Sequence, residues 1–203
     1  MKGSREVLRS LATRRSVRSF KKRKVGIGLL DKVVDAGRWA PSPHDTQPWA
    51  FVIINSRSAK MRLARALADA YSRHMRRVSD ERAAEKVKKA YERTTAAPAL
   101  ILLCLDSSQL RPQPSRKRRL GEWIMATQSV AAAAENMLIA ANALGLGACW
   151  RGAPLFCAGA VRKALNLPDR LQPQVLIEVG HPSVSPSRKA LKDRNTVVAY
   201  NGW

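Results

Sequence analysis

Apolar side chains recur with two different spacings along the 203-residue chain, and the change from one to the other outlines its elements. In "SREVLRSLATR" residues Val7, Leu8 and Leu11 fall on one face of a helix opened by Ser4, with Glu6 in its first turn. "GLLDKVVDAGRWA" gathers Leu29, Leu30, Val33 and Val34 in the same way, and Pro41 halts that helix. From Ser58 to Val78, residues Ala64, Leu67, Tyr71, Met75 and Val78 repeat at helical spacing, and "SDERAAEKVKKAYER" adds a charged, exposed helix. The longest helical pattern runs from Glu122 to Leu144, with small residues through its middle and Gly145 as its cap. "FCAGAVRKALNLP" makes a shorter helix that stops before Pro168. By contrast, "WAFVIIN", "ALILLCLD" and "QVLIEVG" are short apolar runs that read as buried strands.

Between these lie a surface loop, "SSQLRPQPSRKRRLG", and a proline-bearing tail from about residue 181 that is predicted to lie extended across a surface. No repeat or long linker divides the chain. The pattern predicts a single α+β domain over residues 1–203, a sandwich with a central mixed sheet flanked by helices.

Composition narrows the class. Hydrophobic residues make up 45% of the chain, which argues against disorder. The longest strongly apolar run, "APALILLCL", is about half the ~20 residues of a spanning helix, and the charged start lacks the apolar centre of a signal peptide. Cys104, Cys149 and Cys157 form no Cys-x-x-Cys pair, and the three histidines are scattered. These features predict a soluble cytoplasmic protein with reduced thiols and no structural metal. The charge is less ordinary, because 37 Lys and Arg face 15 acids for a net +22. Such a field attracts polyanions or phosphorylated ligands, or it is a solvated basic surface.

Four stretches carry candidate chemistry. "RRSVR", Arg14 to Arg18, sets three forked guanidiniums and a hydroxyl beside a helix end, which suits a phosphate clamp or a solvated basic patch. "APSPHDTQPWAFVII" stiffens a polar loop with prolines at 41, 43 and 48. Its side chains from Ser42 to Gln47 either present a fixed edge to a heteroaromatic ring or cap a tight turn. "GLGACWRGAPLF" brings glycine main chain close to something flat and sets Arg151 beside it, without the order of a dinucleotide fingerprint. "KDR", Lys192 to Arg194, is a charged point in the tail. There is no Gly-x-Ser-x-Gly elbow, no His-Glu-x-x-His and no carboxylate pair, so a cofactor is expected to supply the chemistry.

Taken in this order, "RRSVRSF", "APSPHDTQPWAFVII", "SVAAAAENMLIAANALGLGACWRGAPLF" and "KDR" resemble the nitroreductase family of flavoproteins over nearly the whole chain. The closest likeness is to the branch of reductase domains fused to deazaflavin-cofactor ligases. The resemblance implies an α+β homodimer with FMN at the subunit interface. It implies that Arg14, Arg15, Ser16 and Arg18 hold the FMN phosphate, ribityl chain and pyrimidine edge, and that Lys192 and Arg194 close on the phosphate. Ser42 and Asp45 would reach the flavin from the other subunit, and the main chain of Arg151 and Gly152 would face its redox-active nitrogen. The Arg151 side chain would add positive charge there. Asp45 stands where the family usually has asparagine, and Ala50 where arginine or histidine often follows the tryptophan.

The expected function is transfer of electrons from NADH or NADPH through FMN to an electron-poor acceptor such as a nitro compound, a quinone or an activated alkene. Alternatives within the fold are flavin fragmentation for the lower ligand of cobalamin and reduction of a deazaflavin precursor. The alternative of another class is a nucleic-acid or polyanion binder. It is disfavoured by the 5% aromatic content and the lack of a reading module. The expected partners are a second copy of the chain and a small-molecule acceptor, with no specific nucleic acid and no membrane.

Overall fold

A computed structural model of the chain describes residues 2–76, 82–184, 186–187 and 190–202. Val78 and the opening residues 79–81 of the expected charged helix lie outside the described residues.

Four strands make one sheet in the order β1-β2-β4-β3, with β1 at Trp49–Ile54, β2 at Ala99–Asp106, β3 at Gly147–Arg151 and β4 at Leu171–Gly180. Every strand pair is antiparallel, and the parallel component of the expected mixed sheet is confined to an isolated bridge between Ser16 and Ala148. Helical connections of this length join neighbours of either direction, so alternation of helix and strand did not fix the sense.

Two helical layers enclose the sheet. Ile101, Leu103 and Leu105 of β2 pack on α2 (Ile27–Arg38) and α5 (Arg116–Ala143). The alternate residues Leu100, Leu102 and Cys104 pack on α3 (Arg57–Arg76) and α6 (Ala158–Leu165). Both faces of β2 are therefore buried, which is why its sequence is continuously apolar. Each fully buried leucine contributes on the order of 2 kcal/mol. β1 was expected to be buried but is half-buried up to Ile54, because it ends the sheet. Pro173 sits inside the central strand β4, at the point where the register against β2 shifts between Leu103 and Cys104, a bulge that accepts a residue with no N–H.

α5 begins at Arg116, within the stretch expected to be loop. Ser115 Oγ accepts from Arg118 N at 3.3 Å as its cap. Buried Glu122 pins the preceding loop by accepting from Arg111 N and Gln113 Nε2. The helix ends as expected, with Gly145 at φ 72 and Leu146 N bonded back to Ala141 O. α1 (Lys2–Thr13) also forms where expected, yet its apolar face stays uncovered, with Leu8 66% exposed. α4 (Ala83–Ala96) packs against α3.

Two tests follow from this packing. A Cβ at Gly180 would stand 2.7 Å from Phe20 Cδ1 and Pro98 Cγ, whereas one at Gly28 meets open space. Gly180→Ala is expected to cost about 1–3 kcal/mol in urea unfolding, and Gly28→Ala to stay within about 0.5 kcal/mol. Asp106 caps the turn after β2 by accepting from Ser108 N at 3.0 Å and from Arg170 Nε at 3.3 Å. Burial would raise its pKa, but the Ser108 and Arg170 bonds outweigh it and hold the carboxyl below its ordinary value. Its stabilisation is thus present above about pH 4 and is lost as pH falls through the lowered folded value. Asp106→Asn should lose about 1–2 kcal/mol at pH 7, a deficit that shrinks as the unfolding is repeated below pH 4.

Candidate active site at the edge of the sheet

The segment leaving α1 crosses the outer edge of β3. Val17 N donates to Ala148 O at 2.9 Å, and the Val17 side chain fills the space above Gly147, where a Cβ would lie 2.7 Å from Val17 Cγ1. This contact brings Arg14, Arg15, Ser16 and Arg18 to one corner. Their side chains are not equally free. Arg14 Nε pairs with Glu135 of α5 at 3.3 Å, and Arg15 Nη1 donates to Ala12 O and Arg14 O at the carbonyl end of α1. Arg18 is exposed, and its one bond is a long 3.3 Å contact to Ser16 O.

β3 was expected to be part of a glycine-rich loop. It is a strand that pairs with β4 alone, so beyond Ala148 its outer edge has no strand partner among the described residues. Gly152 follows at the end of that edge, and a Cβ there would meet only Leu155 Cδ1 at 3.8 Å. An open glycine on an unpaired edge lets a planar ring approach the main chain closely.

The Arg151 side chain is not beside that edge. Its guanidinium is buried behind the strand, where Nη1 donates to Thr94 Oγ1 at 2.8 Å and to Glu178 Oε1 at 3.0 Å. Glu178 has no exposed surface and is also gripped by Arg93, through Nε at 2.8 Å and Nη2 at 2.6 Å, while Arg93 Nη2 reaches Cys149 Sγ at 3.2 Å. Burial pulls the Arg151 guanidinium below its usual value against the pull of Glu178. Burial acts the same way on Arg93, but its paired bonds to Glu178 prevail and its value rises. One carboxylate against two guanidiniums leaves the cluster with a net positive charge. The expectation of an arginine beside the ligand is therefore corrected, because that cation is committed to the interior. The reading of the residues had passed over Glu178, Arg93 and Thr94. A lone carboxylate within "QVLIEVG" was the available signal.

The proline-framed loop is rigid. His44, Asp45 and Gln47 all have left-handed backbone, with φ of 54, 53 and 46. Strain of this kind costs about 1 kcal/mol or more per residue and is held here by a closed set of bonds. Gln47 N donates to Ser42 Oγ at 3.0 Å, and Gln47 Nε2 donates to Asp45 Oδ1 at 3.0 Å. The loop enters the sheet at Trp49, opposite Leu105, whereas Ser16 lies on the row of Ala148, Val179 and Ala99. Six residues along the strands and four strand spacings across them are about 20 Å and 19 Å. Ser42 and Asp45 thus belong to the diagonally opposite corner from Arg14–Arg18. The tail is separate again. Lys192 and Arg194 are exposed, and Arg194 Nη2 donates to Tyr200 Oη at 3.0 Å with its guanidinium over the Tyr200 ring.

A cleft of about 520 Å³ opens beside Leu155, the side chain next to Gly152, and is lined by Trp123, Ile124 and Thr127 of α5 and by Gln172 and Gln174.

Comparison with known proteins gives the family and the fold. The profile described as Nitroreductase family matches residues 11–181. A Methanothermobacter thermautotrophicus protein that carries the name NADH dehydrogenase/NAD(P)H nitroreductase is 30% identical over 197 residues, covering 95% of this chain and 85% of that one. A nitroreductase structure in complex with FMN, from Desulfovibrio desulfuricans, superposes with a TM-score of 0.74 at 26% identity and covers 97% of both chains. The NADPH:FMN oxidoreductase of Vibrio harveyi, solved with NAD+, shares the fold with a TM-score of 0.75 at 18% identity, covering 98% of this chain and 78% of that one.

The buried cluster makes its own prediction. Glu178→Gln keeps the shape but leaves two buried or half-buried arginines without their carboxylate. The expected loss is about 3 kcal/mol, at the low end for a broken buried pair because Arg93 is partly solvated. A thermal melt should then fall by roughly 6–12 °C, and a drop under 2 °C would mean that the cluster is structurally idle.

Proposed function

This chain belongs to the nitroreductase family, and from that premise we propose that it is an FMN-dependent oxidoreductase that passes electrons from NADH or NADPH to an electron-poor small molecule. The carrying observation is the outer edge of β3, where the Arg14–Arg18 segment meets Ala148 and an open Gly152 follows about 13 Å further along the unpaired strand. FMN supplies two-electron transfer between donor and acceptor when bound, which leaves the protein to bind and orient.

Each residue has a part in this reading. Arg18 offers a free forked donor to a phosphate or a carbonyl edge, with Ser16 beside it. Arg14 and Arg15 contribute mainly by shaping the segment, since Glu135 and the α1 carbonyls already engage them. The main chain of Arg151 and Gly152 faces the ring. The net positive cluster behind β3 favours negative charge developing on the outer side of the strand, an indirect replacement for a free Arg151. Lys192 and Arg194 close from the tail. The 520 Å³ cleft beside Gly152 has room for a planar acceptor.

The site needs two chains in this reading. Ser42 and Asp45 lie at the far corner from Arg18, so the same ring meets both only across a homodimer. Supporting this, apolar surface is left exposed on α1 and at the start of α5, including Leu8, Leu11, Ile124 and Met125. Asp45 fits the loop in spite of replacing asparagine, because both residues tolerate left-handed backbone.

The visible absorption spectrum of the purified protein decides the main point. A flavin band that survives gel filtration is expected, and a colourless protein that FMN cannot reconstitute would overturn the reading. Arg194→Ala should weaken FMN retention about tenfold or more, the effect of losing one bond to a charged group. Full flavin occupancy in that variant after long dialysis would remove the tail from the site.

A further inference from the structure

An exposed groove of about 740 Å³ lies between α3 and α6, outside the site described above. Four cations line it, Arg62, Arg65, Arg73 and Lys163, against the single carboxylate of Asp69. Arg65, Asp69 and Arg73 are spaced four apart on α3, where ion pairs are easily formed. Yet among the described residues Arg65, Arg73 and Lys163 make no hydrogen bond or ion pair, and Arg62 Nε bonds only Ala164 O at 3.2 Å. Forked and ammonium donors that outnumber the one carboxylate of their groove suit a phosphate monoester.

The groove also shares lining residues with the clefts near the site. It shares Arg73 and Ala160 with a smaller cleft of about 470 Å³ at the start of α6, and that cleft shares Leu155 and Ala158 with the cleft beside Gly152. Arg65 lies about 12 Å along α3 from Arg73. A ligand with its reactive ring at Gly152 would lay a pyrophosphate past Arg73 and carry its far end to Arg65 and Lys163.

We propose that the α3–α6 groove receives the 2′-phosphate end of a phosphorylated nicotinamide dinucleotide, so that NADPH is the preferred electron donor. The inference rests on the oxidoreductase reading for the reactive end of the ligand. The groove itself stands on its own charge and shape. The 2′-phosphate carries close to two negative charges at neutral pH, which NADH lacks.

The test is calorimetric titration with adenosine 2′,5′-bisphosphate, with adenosine 5′-monophosphate as the ligand lacking the 2′-phosphate. Arg65→Glu and Lys163→Glu alter exposed side chains and should fold normally. Each should weaken bisphosphate binding about tenfold or more and leave the monophosphate unaffected. Lys117→Glu makes the same charge change on the exposed start of α5 and should leave both unaffected. In steady state kcat/KM for NADPH should fall in the groove variants while that for NADH holds. Wild-type bisphosphate affinity in the groove variants overturns the proposal, and an equal loss in Lys117→Glu does so by showing a general field. Flavin content is measured on the same preparations. A flavin-free protein defeats the oxidoreductase reading while the titration still judges the groove, and a flavin-loaded, active protein with indifferent groove variants defeats the groove alone.

Discussion

A carboxylate with no exposed surface has to be neutralised where it stands, and Glu178 sets that condition for one whole face of the sheet. It draws Arg93 from α4 and Arg151 from β3 onto β4, and Arg151 in turn draws Thr94. The edge strand β3 is short and pairs on one side only. Two guanidiniums anchored to the neighbouring strand fix it from behind, so its outer side can remain unpaired without fraying. An edge held in this way is suited to present main chain to a ligand, where a loosely held edge would seek another strand.

Under the proposed reading, the same sheet makes one chain incomplete as a site. Its two edges lie three strand spacings apart, and the functional stretches fall at opposite corners. The strained loop of Ser42 to Gln47 is held in left-handed backbone by its own hydrogen bonds, and strain of this kind clusters at ligand sites. A second copy related by a twofold axis brings opposite corners together twice, giving two equivalent sites from one interface. The uncovered apolar face of α1 would find its cover in such a dimer, whereas the small residues Ala133, Ala134 and Ala141 of α5 are already buried in the chain's own core.

How far the sequence revealed this depended on the range of the interactions. β2 was legible because burial on both faces writes a continuous apolar run, and α2 because its period is local. The ends were misread where local rules conflict. Arg116 to Arg119 at a helix start oppose the helix dipole and read as loop, although Ser115 was present as a cap. β3 carries glycine, cysteine and arginine in five residues and lacks any strand pattern. The Glu178 cluster was out of reach, because its members lie 27 and 85 residues away and only the fold assembles them. The loop at Ser42 was recognisable as rigid from its prolines, but its distance from Arg18 required the sheet register.

The charge of +22 looks like the dominant property, yet it selects little by itself. Fields between exposed charges fade over about 8 Å at physiological ionic strength, so distant basic patches such as Lys21–Lys24 and Arg116–Arg119 barely sense the same ligand. Many of the acids are already engaged, Glu178 by two arginines, Glu135 by Arg14, Asp106 by Arg170 and Glu85 by Lys89. Selectivity has to come from places where unpaired cations converge on a concave surface within a Debye length of one another. Among the described residues the α3–α6 groove comes nearest to that condition, and Arg18 adds a single exposed cation at the outer edge of β3. The remaining cations act on encounter rate and solubility, which any anionic small molecule shares, and the discrimination among such molecules rests with those two.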